Sequence, residues 1–369
     1  MQDSQTPPPI PPDNVPHDLD DRVRHSFRFT GSALEYFSIW IVNTALTVLT
    51  LGLYSPWAKV RRERYLMSHT ELAGSQFEYT ANPWRIFKGR LLLFGIFIFV
   101  AVTRVVPVLW LFILFPLVAL VWPWILASAL RFRARYTSYR NLSFHFIGSP
   151  TEAFTHCVLP KGITVLTMWL MAPWAQCVAK RYAVNNLQYG ATSFKSPVTV
   201  RQMYGAYVGG VVLFAVGSAI ALSGTSIIGL DAVMNSRRVS LSGNVPLLLT
   251  AGLIASIGFG LIGCARGYIR LASARSVWNG ASLGSYSVSW NPSMRRYLAI
   301  EVVNIVMKAV TLGLATPWCV IRIRRFLLED LELIGPRNID EFVGQKRAEV
   351  RSLGDQAAEA YDLDVDFGF

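Results

Sequence analysis

Charge is what this sequence has least of. Asp, Glu, Lys and Arg supply 16% of the 369 residues, where a water-soluble chain carries about a quarter. With 52% hydrophobic residues beside it, so little charge cannot clothe a surface against water, which excludes a string of ordinary soluble domains. The scarcity is concentrated. Tyr36–Ala58, Val105–Leu130, Gln202–Leu230 and Val239–Ala265 hold no charge at all, and each reaches the roughly 20 residues that cross a bilayer as a helix. Ile86–Val106 makes a fifth such segment, with Lys88, Arg90 and Arg104 near enough to its ends to snorkel.

Other absences narrow the chemistry. Cys157, Cys177, Cys264 and Cys319 are scattered without a C-x-x-C, so neither a disulfide framework nor a metal site follows from them. The histidines His17, His25, His69, His145 and His156 lie apart, with no H-E-x-x-H. There is no Walker loop, no G-x-G-x-x-G after a strand and no G-x-S-x-G elbow. No catalytic residue, metal ligand or cofactor is assigned on this basis, and nothing supports an enzyme. A zinc-knuckle or RNA-recognition pattern is missing too. The net charge of +12 therefore points to anionic lipid headgroups and the positive-inside rule rather than to nucleic acid. Residues 1–22 are polar and Pro-rich, with acidic residues where a secretory signal would be basic and apolar; a disordered tail is expected over 1–25.

What is present is repetition. "SFRFTGSALEYF" (26–37) and "SFHFIGSPTEAF" (143–154) agree at Ser, Phe, Phe, Gly, Ser, Glu and Phe; at the same offset Pro56-Trp57 falls on Pro173-Trp174 and Arg64-Tyr65 on Arg181-Tyr182. A looser copy begins at "SYSVSWNPSMRRYL" (285–298) and ends at Pro317-Trp318, where "TLGLATPW" echoes "TLGLYSPW". Pro123-Trp124 is followed by Phe132 as Trp57, Trp174 and Trp318 are followed by Tyr65, Tyr182 and Phe326. Each part has a physical reason. Trp57, Trp124, Trp174 and Trp318 suit the membrane–water boundary, where an indole ring meets lipid and its N–H meets water. Proline before tryptophan bends or stops a helix. Arg61, Arg62, Arg64, Arg133, Arg135, Arg322, Arg324 and Arg325 follow and are read as headgroup contacts. The recurring Phe-x-Phe reads as a short alternating strand, and "GSP" or "ANP" after it as a turn.

On these residues the chain resembles the YjgN-like family of bacterial inner-membrane proteins, a domain-of-unknown-function family (898). The stretches that carry the likeness are "FRFTGSALEYFSIWIVNTALTVLTLGLYSPWAKVRRERY", "SHTELAGSQFEYTANP" and "TLGLATPWCVIRIRRF", and it covers roughly 26–335. The resemblance implies location in the bacterial inner membrane. It supplies no activity and no catalytic residues. In the middle unit "TLGLYSPW" becomes "TMWLMAPW", which leaves the role of Thr-Leu-Gly there open.

The charge rule puts every basic stretch after a Pro-Trp on one side, and 152–175 and 297–318 conflict with it by joining two such stretches through one apolar segment. Lys161, inside "LPKG", and Lys308 interrupt those segments. A helix broken at Pro160 and Gly162 and re-entering on one face resolves the conflict; three full crossings that violate the rule are the alternative. Ionisable residues at membrane depth mark solute or ion paths by default, so Lys161 and Lys308, with Glu301 as partner and Asn43 and Asn304 beside them, form the candidate path. "GAYVGG" (205–210) and "GCARG" (263–267) have the small-xxx-small spacing of close helix packing.

The expected architecture is thus an all-α polytopic membrane protein of repeated helical units, short aromatic strands and re-entrant segments. Its repeat domain spans 26–335, in units of about 26–142, 143–284 and 285–335, before a tail over 336–369 that starts as a surface helix on the cytoplasmic side. The first functional expectation is a transporter or channel-like protein for a small solute, as broken duplicated segments suggest. The alternative is a non-catalytic membrane or envelope organiser that binds headgroups or partner proteins, and a lipid-modifying enzyme comes third. The expected partners are membrane lipids, with a second copy of the chain or another membrane protein as further candidates.

Overall fold

The computed structural model describes the backbone of residues 22–102, 107–235 and 245–351, with side chains described throughout except at 92, 93, 96–102, 107–119 and 232–235. Its elements run strand, helix, helix, strand five times over. The first unit is β1 (Arg22–Phe29), α1 (Ala33–Leu49), α2 (Ser55–Ser68) and β2 (Thr70–Leu72); the second is β3 (Ser75–Tyr79), α3 (Pro83–Val102), α4 (Pro107–Arg135) and β4 (Thr137–Tyr139). The third holds β5 (Leu142–Phe146), α5 (Pro150–Ala153), a π-helical turn (Phe154–Val158), α6 (Leu159–Leu166), α7 (Ala172–Asn185) and β6 (Leu187–Tyr189). The fourth is β7 (Thr192–Lys195), α8 (Val200–Asn235), α9 (Val245–Trp278) and β8 (Ser282–Leu283). The fifth is β9 (Tyr286–Trp290), α10 (Met294–Val310), α11 (Thr316–Glu329) and β10 (Leu331–Pro336).

The ten strands close into one antiparallel barrel. β1 pairs at one end with β10, from Arg22↔Pro336 to Ser26↔Glu332, and at the other with β2, from Phe27↔Leu72 to Phe29↔Thr70. Two-residue turns join the units: Ala73-Gly74 and Arg140-Asn141 have φ of 47°, 76°, 50° and 61°, the mirror-image turn whose twist suits a tight hairpin. Because every pairing is antiparallel, these turns gather at one rim and the helical hairpins leave from the other. The interior is filled. Leu72, Tyr139, Leu142, Tyr189, Phe194, Leu283 and Tyr286 pack there with Phe27, Phe77, Phe144 and Leu333. Buried tyrosine hydroxyls find backbone carbonyls: Tyr139 donates to Leu72 at 2.8 Å and Tyr189 to Tyr139 at 3.0 Å, as a buried hydroxyl must. At the turn rim a helix over 339–351 lies across the barrel, with Ile339 and Val343 buried in the same core and Phe342 edge-on to Tyr286.

This barrel corrects the all-α expectation. Its strands are two to eight residues long, too short to show as alternation between helices, and closing them requires pairing between positions as distant as 22 and 336. The membrane-span count is corrected as well. Among the described residues, α8 (from Val200 to Asp231) and α9 are the two helices long and apolar enough to cross a bilayer. Tyr36–Ala58 is no span: it is divided between α1, a turn and α2. The segments expected over 86–106 and 105–130 fall in α3 and α4 and lie partly outside the described residues. The break expected at Pro160 and Gly162 is absent too. α6 runs through both: the π-helical turn Phe154–Val158 directly before it widens the hydrogen bonding ahead of Pro160, which has no N–H to give, and the chain reverses only after Leu166. The tail expected over 1–25 includes Arg22–His25, which belong to β1, while 1–21 and 352–369 lie outside the described residues.

Glycines zip the longest hairpin. A Cβ at Gly217 would stand 2.9 Å from the Gly258 carbonyl oxygen, and one at Gly224 2.5 Å from the Ala255 nitrogen, whereas Gly205 and Gly229 face open space. Backbone cannot yield, so Gly224→Leu should destabilise α8–α9 by at least the ~1–3 kcal/mol of an overpacked core. Gly229→Leu should be tolerated; thermal unfolding in detergent compares them.

Candidate functional site

Three of the five helical hairpins are short, and their reversals share one construction. In the first, the Gly52 N–H reaches back to the Thr47 carbonyl at 2.7 Å; in the third, Trp169 to Thr164 at 2.8 Å; in the fifth, Gly313 to Lys308 at 2.8 Å. This is the wide closing bond of a glycine-terminated helix. A threonine then serves both helices at once. Thr50 Oγ1 donates to the Leu46 carbonyl at 2.7 Å and accepts from the Tyr54 N–H at 3.0 Å. Thr167 does so with Ile163 and Met171, and Thr311 with Met307 and Ala315. Backbone groups at a helix end have no intrahelical partner, and away from water each needs one. The Thr-Leu-Gly of the first and last units is therefore a reversal signal. In the third, Trp169 holds the glycine's left-handed position with φ of 71°, against 90° at Gly52 and Gly313.

At the barrel rim a tyrosine clamps the entry of two short hairpins. Tyr65 Oη accepts the Ser32 N–H at 2.9 Å and donates to the Ser32 carbonyl at 2.9 Å; Tyr182 donates to the Ser149 carbonyl at 2.9 Å. Gly31 and Gly148 make room: a Cβ at Gly148 would lie 2.6 Å from Tyr182 Oη. Ser149 and Glu152 complete a capping box at the start of α5. Burial pushes both Tyr65 and Tyr182 up to about 12.

The residues expected to form a solute path do not converge. Lys161 is exposed on α6 in the third unit and Lys308 is exposed on α10 in the fifth. Asn43 is buried on α1, a unit away from the buried Asn304 on α10. Glu301, Asn304 and Lys308 fall on one face of α10 by their spacing, but Asn304 is buried and Lys308 exposed. Asn304 Oδ1 meets Arg322 Nη1 at 3.5 Å, while Glu301 lies against Gly267 of α9. Each keeps a buried polar atom with no hydrogen-bond partner, Asn304 Nδ2 and Glu301 Oε2, as does Asn43 at Oδ1.

The aromatic anchors differ among themselves. Trp124 is 68% exposed and Trp318 38%. Trp57 stands edge-on to Trp84 with ring centres 5.1 Å apart, and Trp174 is half-buried. Arg61, Arg62 and Arg64 on α2, Arg133 and Arg135 at the end of α4, and Arg322 and Arg325 on α11 are exposed; Arg62 pairs with Glu63 at 2.9 Å. Arg324 departs from the headgroup expectation: it is largely withdrawn from water beside Met67, and burial disfavours its charge while Glu63 supports it. Among the described residues no three His, Cys, Asp or Glu side chains are placed to hold a metal ion. Sequence reasoning missed Thr50 and Thr167, although each, like Thr311, lies six residues before its Pro-Trp proline. It also missed Arg140, which pairs with Asp340 of the capping helix and donates to the Ala73 carbonyl.

Comparison with known proteins places these features. A family model described as a bacterial protein of unknown function (DUF898) matches residues 24–360. The chain is similar to the inner membrane protein YjgN of Salmonella typhimurium (strain LT2), 26% identical over 365 residues that cover 85% of this chain and 90% of that protein. It is also similar to the inner membrane protein YjgN of Escherichia coli (strain K12), 34% identical over 134 residues that cover 34% of this chain and 32% of that protein. No solved structure matches.

Two outcomes are expected. Tyr65 and Tyr182 hold their protons more tightly folded than at the ordinary value of 10, so the stability they lend is complete below pH 10 and is lost as pH climbs through about 12. A Tyr65→Phe/Tyr182→Phe double variant should unfold earlier than wild type at neutral pH, and the gap should close across that window. Trp169→Gly should raise stability by about 1 kcal/mol by relieving a left-handed non-glycine residue, read from the thermal midpoint in detergent.

Proposed function

We propose, for a chain that belongs to the DUF898 family of bacterial proteins of unknown function, a role as a non-catalytic organiser of the membrane it sits in. That membrane is the bacterial inner membrane, as the relatives' names state. The observation that carries the reading is a set of exposed arginines on the second helices of the hairpins, Arg61, Arg64, Arg133, Arg135, Arg322 and Arg325, where apolar helices return to the barrel. Their guanidinium groups suit the phosphates of anionic lipids, each worth about 1 kcal/mol near such a surface. The filled barrel interior supports a scaffold over a conduit through its axis. The five-fold succession of strand, helix, helix and strand reads as the product of internal duplication, and it spaces the basic helices around one rim.

Transport remains a second reading, and one observation favours it. Glu301 Oε2 is buried without a partner where α10 packs on α9, and Asn304 Nδ2 where α10 packs on α11, and polar groups left open in an apolar bundle are where a solute or proton could pause. Reconstitution separates the two. The organiser reading expects the purified protein to bind anionic vesicles over neutral ones, and Arg61→Gln/Arg64→Gln/Arg322→Gln/Arg325→Gln to lose about fivefold in affinity per residue. Equal binding of wild type to neutral and anionic vesicles overturns it. Solute flux that falls with Glu301→Gln supports transport instead.

A further inference from the structure

The five hairpins leave one rim of the barrel but do not reach one height. α8 has 36 residues and α9 34, on the order of 50 Å each, while α1 and α10 have 17, as does the unbroken run of α5, the π-helical turn and α6 from Pro150 to Leu166, with 4, 5 and 8 residues. Contacts fix where the short ones stop. On α9, Gly267 faces Tyr297 and Glu301 of α10, and Gly263 faces Ile305. Continued along the antiparallel pair, the fifth hairpin turns back near the level of Ser256, leaving α9 about 16 Å more to its start at Val245. In the first unit Ser55 meets Arg90, and Trp57 meets Trp84 and Phe87. That tip stands beside the last basic residue described on α3. In the third, the Tyr204 hydroxyl donates to the Leu170 carbonyl at 3.2 Å and Tyr207 to Gln176 at 2.6 Å, near the start of α8. On the barrel side of their apolar stretches, the last charges on the long neighbours are Arg90, Arg201 and Arg266. The three tips therefore stop near those levels or, in the fifth unit, about half a bilayer beyond.

Among the described residues the tips also carry the most exposed large apolar side chains. Leu51 and Leu312 are 94% exposed and Met168 88%, with Leu53, Trp169 and Leu314 beside them. Every backbone N–H across these bends is paired internally, with carbonyls or with the threonine hydroxyls, so the bends present no N–H that needs water. We propose that the three tips are wedges seated in the acyl chains of the barrel-side leaflet alone, so that the protein fills more area in that leaflet than in the far one and favours membrane that bulges toward the barrel. The acyl layer is the occupant because two tips lie just past the last arginine of a long neighbour, Arg90 or Arg201, and the third about half a bilayer past Arg266, beside helices that themselves run on into lipid. Apolar groups inserted into one leaflet only bind in a curvature-sensitive way. The inference rests on the membrane-bound reading above but not on its preference for anionic headgroups.

Orientation in vesicles tests it. The four cysteines are buried and Gln76 is exposed on β3, so in Gln76→Cys an impermeant maleimide reports barrels that face outward. Reconstituted into neutral phosphatidylcholine vesicles of decreasing diameter, the outward-to-inward ratio should rise by about threefold or more. The triple variant Leu51→Ser/Met168→Ser/Leu312→Ser, at positions with little packing to lose, should orient independently of diameter, and Leu51→Ser alone should show part of that loss. A ratio that is constant with diameter in wild type, or a triple variant that keeps the full trend, overturns the proposal. Because the vesicles carry no anionic lipid, failure here leaves the headgroup reading standing, and failure of headgroup selectivity leaves this one standing.

Discussion

A sheet without an edge is the constraint on which everything else in this structure depends. A ladder of two or three residues, as β2, β4, β6 and β8 make with their neighbours, is worth almost nothing alone, and an isolated hairpin is marginal in water. Joined into a ring, each strand has partners on both sides and no N–H or C=O row is left open. The aromatic interior completes the bargain between short strands and a stable sheet: Phe27, Phe77, Tyr139, Tyr189, Phe144 and Phe194 lie in successive ring contacts of 4.8 to 6.4 Å. Large rings make a small barrel a packed core.

Closure also dictates what the helices do. Adjacent antiparallel strands present both ends of each connection at the same rim, so whatever leaves between them must come back. Two connections return from long hairpins, with α8 and α9 held together by small residues at seven-residue intervals, Gly210, Gly217 and Gly224 against Ala265, Gly258 and Ala255, the spacing of helices that wind gently about each other. Three return after a short climb, and for them the reversal has to be built where water is scarce. A threonine hydroxyl that serves a carbonyl of one helix and an N–H of the next meets the requirement with a single side chain.

Much of this was written in the sequence in a form that could be noticed but not assembled. The repeated Phe-x-Phe lies in β1 and β5, and Gly-Ser before a helix is a cap at Ser32 and Ser149. Pro56, Pro173 and Pro317 open the second helix of each short hairpin. The barrel was not legible, because β8 is Ser-Leu and β2 is Thr-Glu-Leu, segments whose pairing is decided by partners in other units rather than by their own pattern. Length misled the reading of Tyr36–Ala58: hydropathy cannot tell a span from a helix that turns back, and the telling residues, Thr50 and Gly52, look unremarkable in an apolar run. Lys161 and Lys308 were singled out for their rarity, yet both face outward. The buried polar groups are the uncharged Asn43 and Asn304 together with Glu301, whose burial follows from which helix face meets α9 or α11.

The barrel's last seam joins Arg22 to Pro336, so the strand synthesised first waits for the strand synthesised last. Throughout translation the growing sheet keeps two raw borders, and a chain cut short anywhere before β10 keeps them for good. The arrival of β10 is thereby inspected by geometry: only a chain made as far as Pro336 can hide these borders, and the helix over 339–351, next off the ribosome, lies across the finished ring like a seal on a closed envelope.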